Sequence, residues 1–138
     1  MISFDTNVRV RYAETDKMGY VYYGIYAEYF EVGRTELMRH YGLPYSYIEE
    51  NGIMLPVLSM NVKYIKPAFY DQLLTVRTFL KEVPAARIKF DYEMYNEQNV
   101  LLNIADITLV FIDALTRKPR KAPDSFIQRI EQDFYQNK

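Results

Sequence analysis

The stretch VRYAETDKMGYVYYGIYAEYFEVGRTELMRHYG, from Val10 to Gly42, holds the one long amphipathic helix that the first half of the chain can make, and it sets terms for the rest. Tyr26, Tyr29, Phe30, Gly33, Leu37 and Tyr41 recur at spacings of three and four, while Glu28, Glu31, Glu36 and Arg39 fill the remaining circumference. A face this wide needs a sheet to lie on. Gly33 falls in the middle of it, where glycine costs about 1 kcal/mol of helix propensity relative to alanine. The expectation is a helix backbone lying unusually close to the sheet. Gly42 followed by Pro44 stops the helix.

The beginning of the helix is less ordinary. No Ser, Thr, Asp or Asn lies between Gly19 and Tyr26, so its first amides have no local side-chain cap. Water or a side chain from elsewhere can satisfy them. The alternative is a ligand oxygen, with Asp16 from the preceding loop standing beside it. Asp16 therefore has two readings, a turn residue that caps the amides of Met18 or Gly19 and a carboxylate that does chemistry.

Composition narrows the classes. The chain has 138 residues, enough for one core and too few for two ordinary domains, so residues 1–138 are expected to form a single domain. A net charge of -1 gives no support to a nucleic-acid partner. With no Cys and one His, thiol catalysis, disulfides, catalytic triads and most metal sites drop out, and no metal is expected. No basic segment followed by an apolar run opens the chain and no apolar stretch approaches the roughly 20 residues of a membrane span, so the expected compartment is the cytoplasm. Fourteen Tyr and no Trp form an aromatic surplus for a core, a tunnel or a subunit interface.

Taken in order, Ser3 to Tyr12 reads as a first strand, and Pro44 to Asn51 as a short helix closed by Gly52. From Val57 the period is two, with Leu58, Met60, Val62 and Tyr64 on one face until Pro67. Strands follow over Leu73 to Lys81, Arg87 to Tyr95 and Val100 to Ile112, then a turn over Asp113 to Thr116 and a short edge strand over Arg117 to Lys121. Pro123-Asp124-Ser125 opens a terminal helix carrying Phe126, Ile127, Ile130 and Phe134 on one side. The fold class is α+β, one antiparallel sheet of five to six strands wrapped around one long helix. One face of so much sheet is left over, which points to a partner subunit.

Tyr12, Thr15-Asp16, Gly19, Val21-Tyr22, Tyr26, Phe30-Glu31 and Arg34-Thr35-Glu36, followed by Tyr64-Ile65-Lys66-Pro67-Ala68 and Asp71-Gln72-Leu73, carry a resemblance over nearly the whole chain. The sequence resembles the hotdog-fold acyl-CoA thioesterases, in the branch that contains 4-hydroxybenzoyl-CoA thioesterase and the Tol-Pal-associated thioesterase. The resemblance implies a hotdog fold, a homodimer or homotetramer with active sites at the seam, and Asp16 as the essential carboxylate, acting as nucleophile or as general base. It assigns the carbonyl oxygen of the thioester to the backbone N–H of Tyr23, with Gly24 giving the acyl chain access to the backbone. Tyr12 would orient the carboxylate or a water, or else be a core tyrosine at a strand end. Tol-Pal-associated members commonly carry His where this chain has Tyr23 and Asn where it has Ile25, so only the main-chain role transfers. Glu31 is read as a surface residue pairing near Arg34 or Thr35, and His40 as structural.

Lys63, Lys66 and the run Arg117, Lys118, Arg120 and Lys121 are the candidate contacts for the phosphates of coenzyme A, which is part of the substrate; no other cofactor is expected. The reading is hydrolysis of a short- to medium-chain or aromatic acyl-CoA. The rivals are an acyl-carrier-protein thioesterase and a non-catalytic hotdog protein that binds acyl-CoA or serves as an assembly partner. A dehydratase is disfavoured, because those typically use a helix His or a His-Asp pair and His40 lies in the wrong stretch.

Overall fold

A computed structural model describes residues 1–136. Strands β1 (Ile2–Arg9), β3 (Val57–Tyr64), β4 (Leu73–Leu80), β5 (Arg87–Tyr95) and β6 (Leu101–Val110) form one antiparallel sheet in the order β1-β4-β5-β6-β3. Strands β2 (Ile53–Met54) and β7 (Ile112–Asp113) pair separately. Helix α1 (Ile25–His40) lies on the sheet, followed by α2 (Tyr45–Glu50), and α3 (Asp124–Gln136) closes the described chain.

Alternation places Ile88, Phe90, Tyr92 and Met94 of β5 in the core, and α1 covers them with Tyr26, Tyr29, Phe30 and Leu37. The rings of Phe30 and Tyr92 pack 4.7 Å apart. Gly33 is the point of closest approach: a Cβ there would lie 2.6 Å from Thr78 Oγ1 and 2.8 Å from Val76 Cγ1. The helix rests on β4 with no room for a methyl group. At the far end Phe126 and Ile130 of α3 are buried, with the Phe126 ring edge-on to Phe111.

Three expectations give way. The first strand ends at Arg9 and not at Tyr12, because the Arg11 amide donates to Glu14 Oε1 at 2.8 Å and starts a single 3-10 turn over Tyr12–Glu14. Residues Arg117 to Lys121 do not extend the sheet. Asp113 Oδ1 accepts from the amides of Leu115 and Thr116, Arg117 takes a positive φ of 62°, and Pro119 makes only an isolated bridge to Ile112. The accepted amide of Thr116, ahead of other causes, holds the Asp113 carboxyl below the usual range. Third, β3 has the expected extent but no buried face. Leu58, Met60 and Tyr64 are 52%, 45% and 50% exposed, since β3 is an edge strand and its outer side is uncovered. A β-bulge between Val57 and Ser59 also shifts its register on β6.

Candidate active site

The loop between β1 and α1 is stitched on both sides. Thr15 bridges Val21, the Asp16 amide donates to the Tyr20 carbonyl at 2.8 Å, and the Gly19 amide returns to the Asp16 carbonyl at 3.0 Å. Gly19 takes a φ of 83°, which is why a glycine closes this turn. The loop is also pinned to the segment after β3, with the Val21 amide on the Ala68 carbonyl at 2.9 Å. One carboxylate oxygen of Asp16, Oδ1, accepts the Met18 amide at 2.9 Å. Of the two roles considered for this residue, the capping role is therefore present in the structure. The same bond holds the side chain in place and leaves Oδ2 without a donor among the described residues.

Helix α1 begins without a side-chain cap, as its sequence implied, at Gly24 with φ -67° and ψ -23°. The Ile25 amide turns back to the Tyr22 carbonyl at 2.9 Å and the Tyr26 amide to the Tyr23 carbonyl at 3.4 Å. Among the described residues no acceptor meets the amides of Tyr23 and Gly24. Gly24 is tight for a local reason: a Cβ would sit 2.9 Å from Cε2 of Tyr22, whose ring lies over it.

Asp16, Tyr23, Tyr26, Tyr64, Ile65 and Lys66 share a cleft of about 370 Å³, with Tyr20, Val21 and Pro67 completing its wall. Tyr26 is buried there and accepts the Ala68 amide at 3.2 Å, so its hydroxyl proton is left to donate. Burial, and to a smaller extent the nearby Tyr64 and Asp16, pushes that hydroxyl above its ordinary pKa, while the Ala68 amide pulls the other way. Tyr26 stays neutral at physiological pH.

Not every expected residue comes here. Tyr12 is neither a strand residue nor a core residue; it is 78% exposed, packs edge-on against Tyr70 with centroids 5.7 Å apart, and does not line the cleft. Of the basic candidates only Lys66 lines it. Lys63 borders a separate cavity on the open face of the sheet, with Lys81, Asp91 and Asp106. Arg117, Lys118 and Arg120 follow the far end of β6: the cleft segment is anchored to Leu102 through the Ile65 amide, whereas the Arg120 amide binds the Phe111 carbonyl. At the rise of an antiparallel strand these anchors are roughly 30 Å apart. Glu31 does not form an ion pair with Arg34 among the described residues; Arg34 turns inward and donates Nε–H to the Tyr45 hydroxyl at 3.0 Å. His40 stacks on Phe4 at 4.4 Å, in a structural position.

One residue escaped sequence reasoning. Glu14 is only 7% exposed, and its Oε1 accepts both the Arg11 amide and the Tyr29 hydroxyl at 2.8 Å. The spacing Arg11-x-x-Glu14, a carboxylate reaching back to the amide that opens a turn, was the available signal.

The family model described as the thioesterase-like superfamily matches residues 10–130. The chain belongs to this superfamily. It is 37% identical over 121 residues to the putative acyl-CoA thioesterase YneP of Bacillus subtilis, covering 85% of this chain and 88% of that protein. It is 33% identical over 125 residues to the acyl-CoA thioester hydrolase YbgC of Escherichia coli, covering 91% and 93%. Among solved structures, a DHNA-CoA thioesterase from Staphylococcus aureus superposes with a TM-score of 0.93 at 34% identity, over 99% of this chain and 94% of that one. The fold is that of the hotdog thioesterases, with an antiparallel five-stranded sheet and helix α1 lying on it.

Proposed function

We propose that this thioesterase-superfamily protein hydrolyses acyl-CoA to free acid and coenzyme A, with Asp16 and the start of α1 as the reacting centre. The observation that carries the reading is the pair of unaccepted amides, Tyr23 and Gly24, at a helix N-terminus next to the cleft that holds the Asp16 carboxylate. The thioester carbonyl oxygen accepts the Tyr23 N–H. As a nucleophile adds to the carbonyl carbon, negative charge grows on that oxygen, and one oriented donor backed by the helix dipole lowers the barrier by about 3 kcal/mol. Asp16 either takes a proton from water, so that hydroxide adds, or adds itself to give a mixed anhydride that water then opens. In both routes the C–S bond breaks, and coenzyme A leaves as thiolate and is protonated.

A backbone donor makes a specific prediction. Tyr23→Phe keeps the amide and costs less than roughly tenfold in kcat. Gly24→Val costs more, because a branched side chain displaces the Tyr22 ring and crowds the carbonyl's approach. Steady-state kinetics on the two variants read the order. If Tyr23→Phe is the more damaging, the hydroxyl takes part and the backbone assignment is wrong.

The reading includes a homodimer or a dimer of dimers. An exposed, eight-residue edge strand with Leu58, Met60 and Tyr64 uncovered is a site for pairing with a second chain. Tyr64 both belongs to that edge and lines the cleft. Antiparallel pairing about the middle of β3 also brings the far end of the partner's β6 beside the cleft, and with it a second copy of the basic run 117–121 to meet the phosphates. Lys66 contributes from the same subunit. The scattered lysines and arginines suit the few phosphates of coenzyme A better than the acidic surface of a carrier protein. The protein is therefore expected to show higher kcat/KM for acyl-CoA than for the same acyl group on acyl carrier protein. Short to medium or aromatic acyl groups are favoured, since Tyr23, Tyr26 and Tyr64 narrow the cleft. Side-by-side kinetics on both carriers decide; a clear preference for the carrier-protein thioester reverses the assignment of the leaving group.

A further inference from the structure

Both parts of the proposed centre are tied to one residue that belongs to neither. The side chain of Glu14 is held by the Arg11 amide at 2.8 Å, the Arg11 guanidinium at 3.4 Å and the Tyr29 hydroxyl at 2.8 Å. Its carbonyl accepts the Tyr22 amide at 2.9 Å, immediately before Tyr23. Two residues further along the chain is Asp16. The carboxylate thus joins the 3-10 turn to the buried face of α1 while the backbone of the same residue fixes the entry to that helix. A buried carboxylate is costly unless it is well donated to, and Arg11 and Tyr29 supply the donors that keep it in place.

We infer that Glu14 is a positioning residue for thioester cleavage, setting the separation between the Asp16 carboxylate and the Tyr23 amide by clamping the loop to Tyr29 of α1. The inference rests on the assignment of those two groups to the reaction. Glu14 itself does not line the cleft, so it acts through their geometry and not on the substrate. A displacement near 1 Å between a nucleophile or base and its oxyanion donor costs about a hundredfold in rate.

The test is a set of four variants assayed for kcat, KM and thermal midpoint on one acyl-CoA. Glu14→Gln preserves shape but weakens the charge-assisted bonds; kcat is expected to fall about 10- to 100-fold with KM within about threefold. Tyr29→Phe removes one donor and leaves the Arg11 amide in place; kcat is expected to fall about three- to tenfold with the same split, which keeps the inference open to refutation if Glu14→Gln does not fold. Phe126→Leu, in α3, serves as a control for lost stability alone and keeps wild-type kcat. Glu14→Gln or Tyr29→Phe with kcat within twofold of wild type overturns the inference, and so does an equal loss of kcat in Phe126→Leu. Asp16→Asn separates the two levels. If it is active, the assignment of the centre fails and the inference with it; if it is inactive while Glu14→Gln is fully active, only the positioning role fails.

Discussion

Asp16→Asn lowers acyl-CoA turnover by a factor on the order of 100 to 10,000, the range for losing a general base or nucleophile, and leaves the fold in place. The substitution is informative because the structural duty of Asp16 survives it. The side-chain oxygen of asparagine still accepts the Met18 amide that Oδ1 accepts now, so the turn closed by Gly19 is retained. What disappears is the charge and basicity of the oxygen that no donor among the described residues occupies. Kinetics with circular dichroism on the same sample separates the two duties. Activity within a few-fold of wild type would make Asp16 a cap only and would move the acyl-CoA-binding reading ahead.

The largest expected loss of stability comes from Gly33→Val. Replacing glycine inside a helix regains some helix propensity, about 1 kcal/mol for alanine and less for β-branched valine. Against that, the added Cβ lies at 2.6 Å from Thr78 Oγ1 and 2.8 Å from Val76 Cγ1, neither at the end of a long flexible side chain, and valine adds two more carbons beyond it. Overpacking of this kind costs about 1–3 kcal/mol, and a branched residue against the fully buried side chains of Val76 and Thr78 belongs at or above the upper end. The net loss of roughly 3 kcal/mol lowers the thermal midpoint by about 10 °C for a domain of this size. Gly33→Ala brings the same Cβ against Thr78 and Val76 and also loses stability, by less than valine because it regains more helix propensity and adds no carbons beyond that Cβ. Thermal unfolding followed by circular dichroism checks the order, and a Gly33→Val protein as stable as wild type would mean that α1 does not lie this close to β4.

The close approach at Gly33 was legible because a glycine in an otherwise apolar helical stripe weakens the helix, and a sheet too near to admit a side chain is what offsets that weakness. Strand β5 was legible from the alternation of Ile88, Phe90, Tyr92 and Met94 with Arg87, Lys89, Asp91 and Glu93. Alternation misled where something outside the pattern decides. It runs through Arg9, Val10 and Arg11, yet the strand stops at Arg9, since Glu14 captures the Arg11 amide before it can join the ladder. It gives β3 an apolar face without saying whether anything covers that face, and burial is a property of neighbours. Glu14 itself went unseen because a lone glutamate is read as solvated surface. Its burial depends on Tyr29, fifteen residues away on another element. Asp16 and the uncapped start of α1 could be singled out from sequence, because a missing cap is a local fact; that they share a cleft with Tyr64 and Lys66 depends on the Val21-to-Ala68 hydrogen bond, which no local pattern encodes. The basic run 117–121 was visible as charge, but its distance from the cleft is set by the length of β6.

The central claim is that the Asp16 carboxylate and the unaccepted amides of α1 cleave a thioester and do not merely hold one. The most direct measurement is free thiol released from a panel of short-chain, medium-chain and aromatic acyl-CoAs, with wild-type protein and Asp16→Asn at equal concentration. The account predicts multiple-turnover thiol release from at least one member with wild type, reduced on the order of a hundredfold or more by Asp16→Asn. Binding of acyl-CoA without thiol release from any member, or equal release by the two proteins, would contradict it.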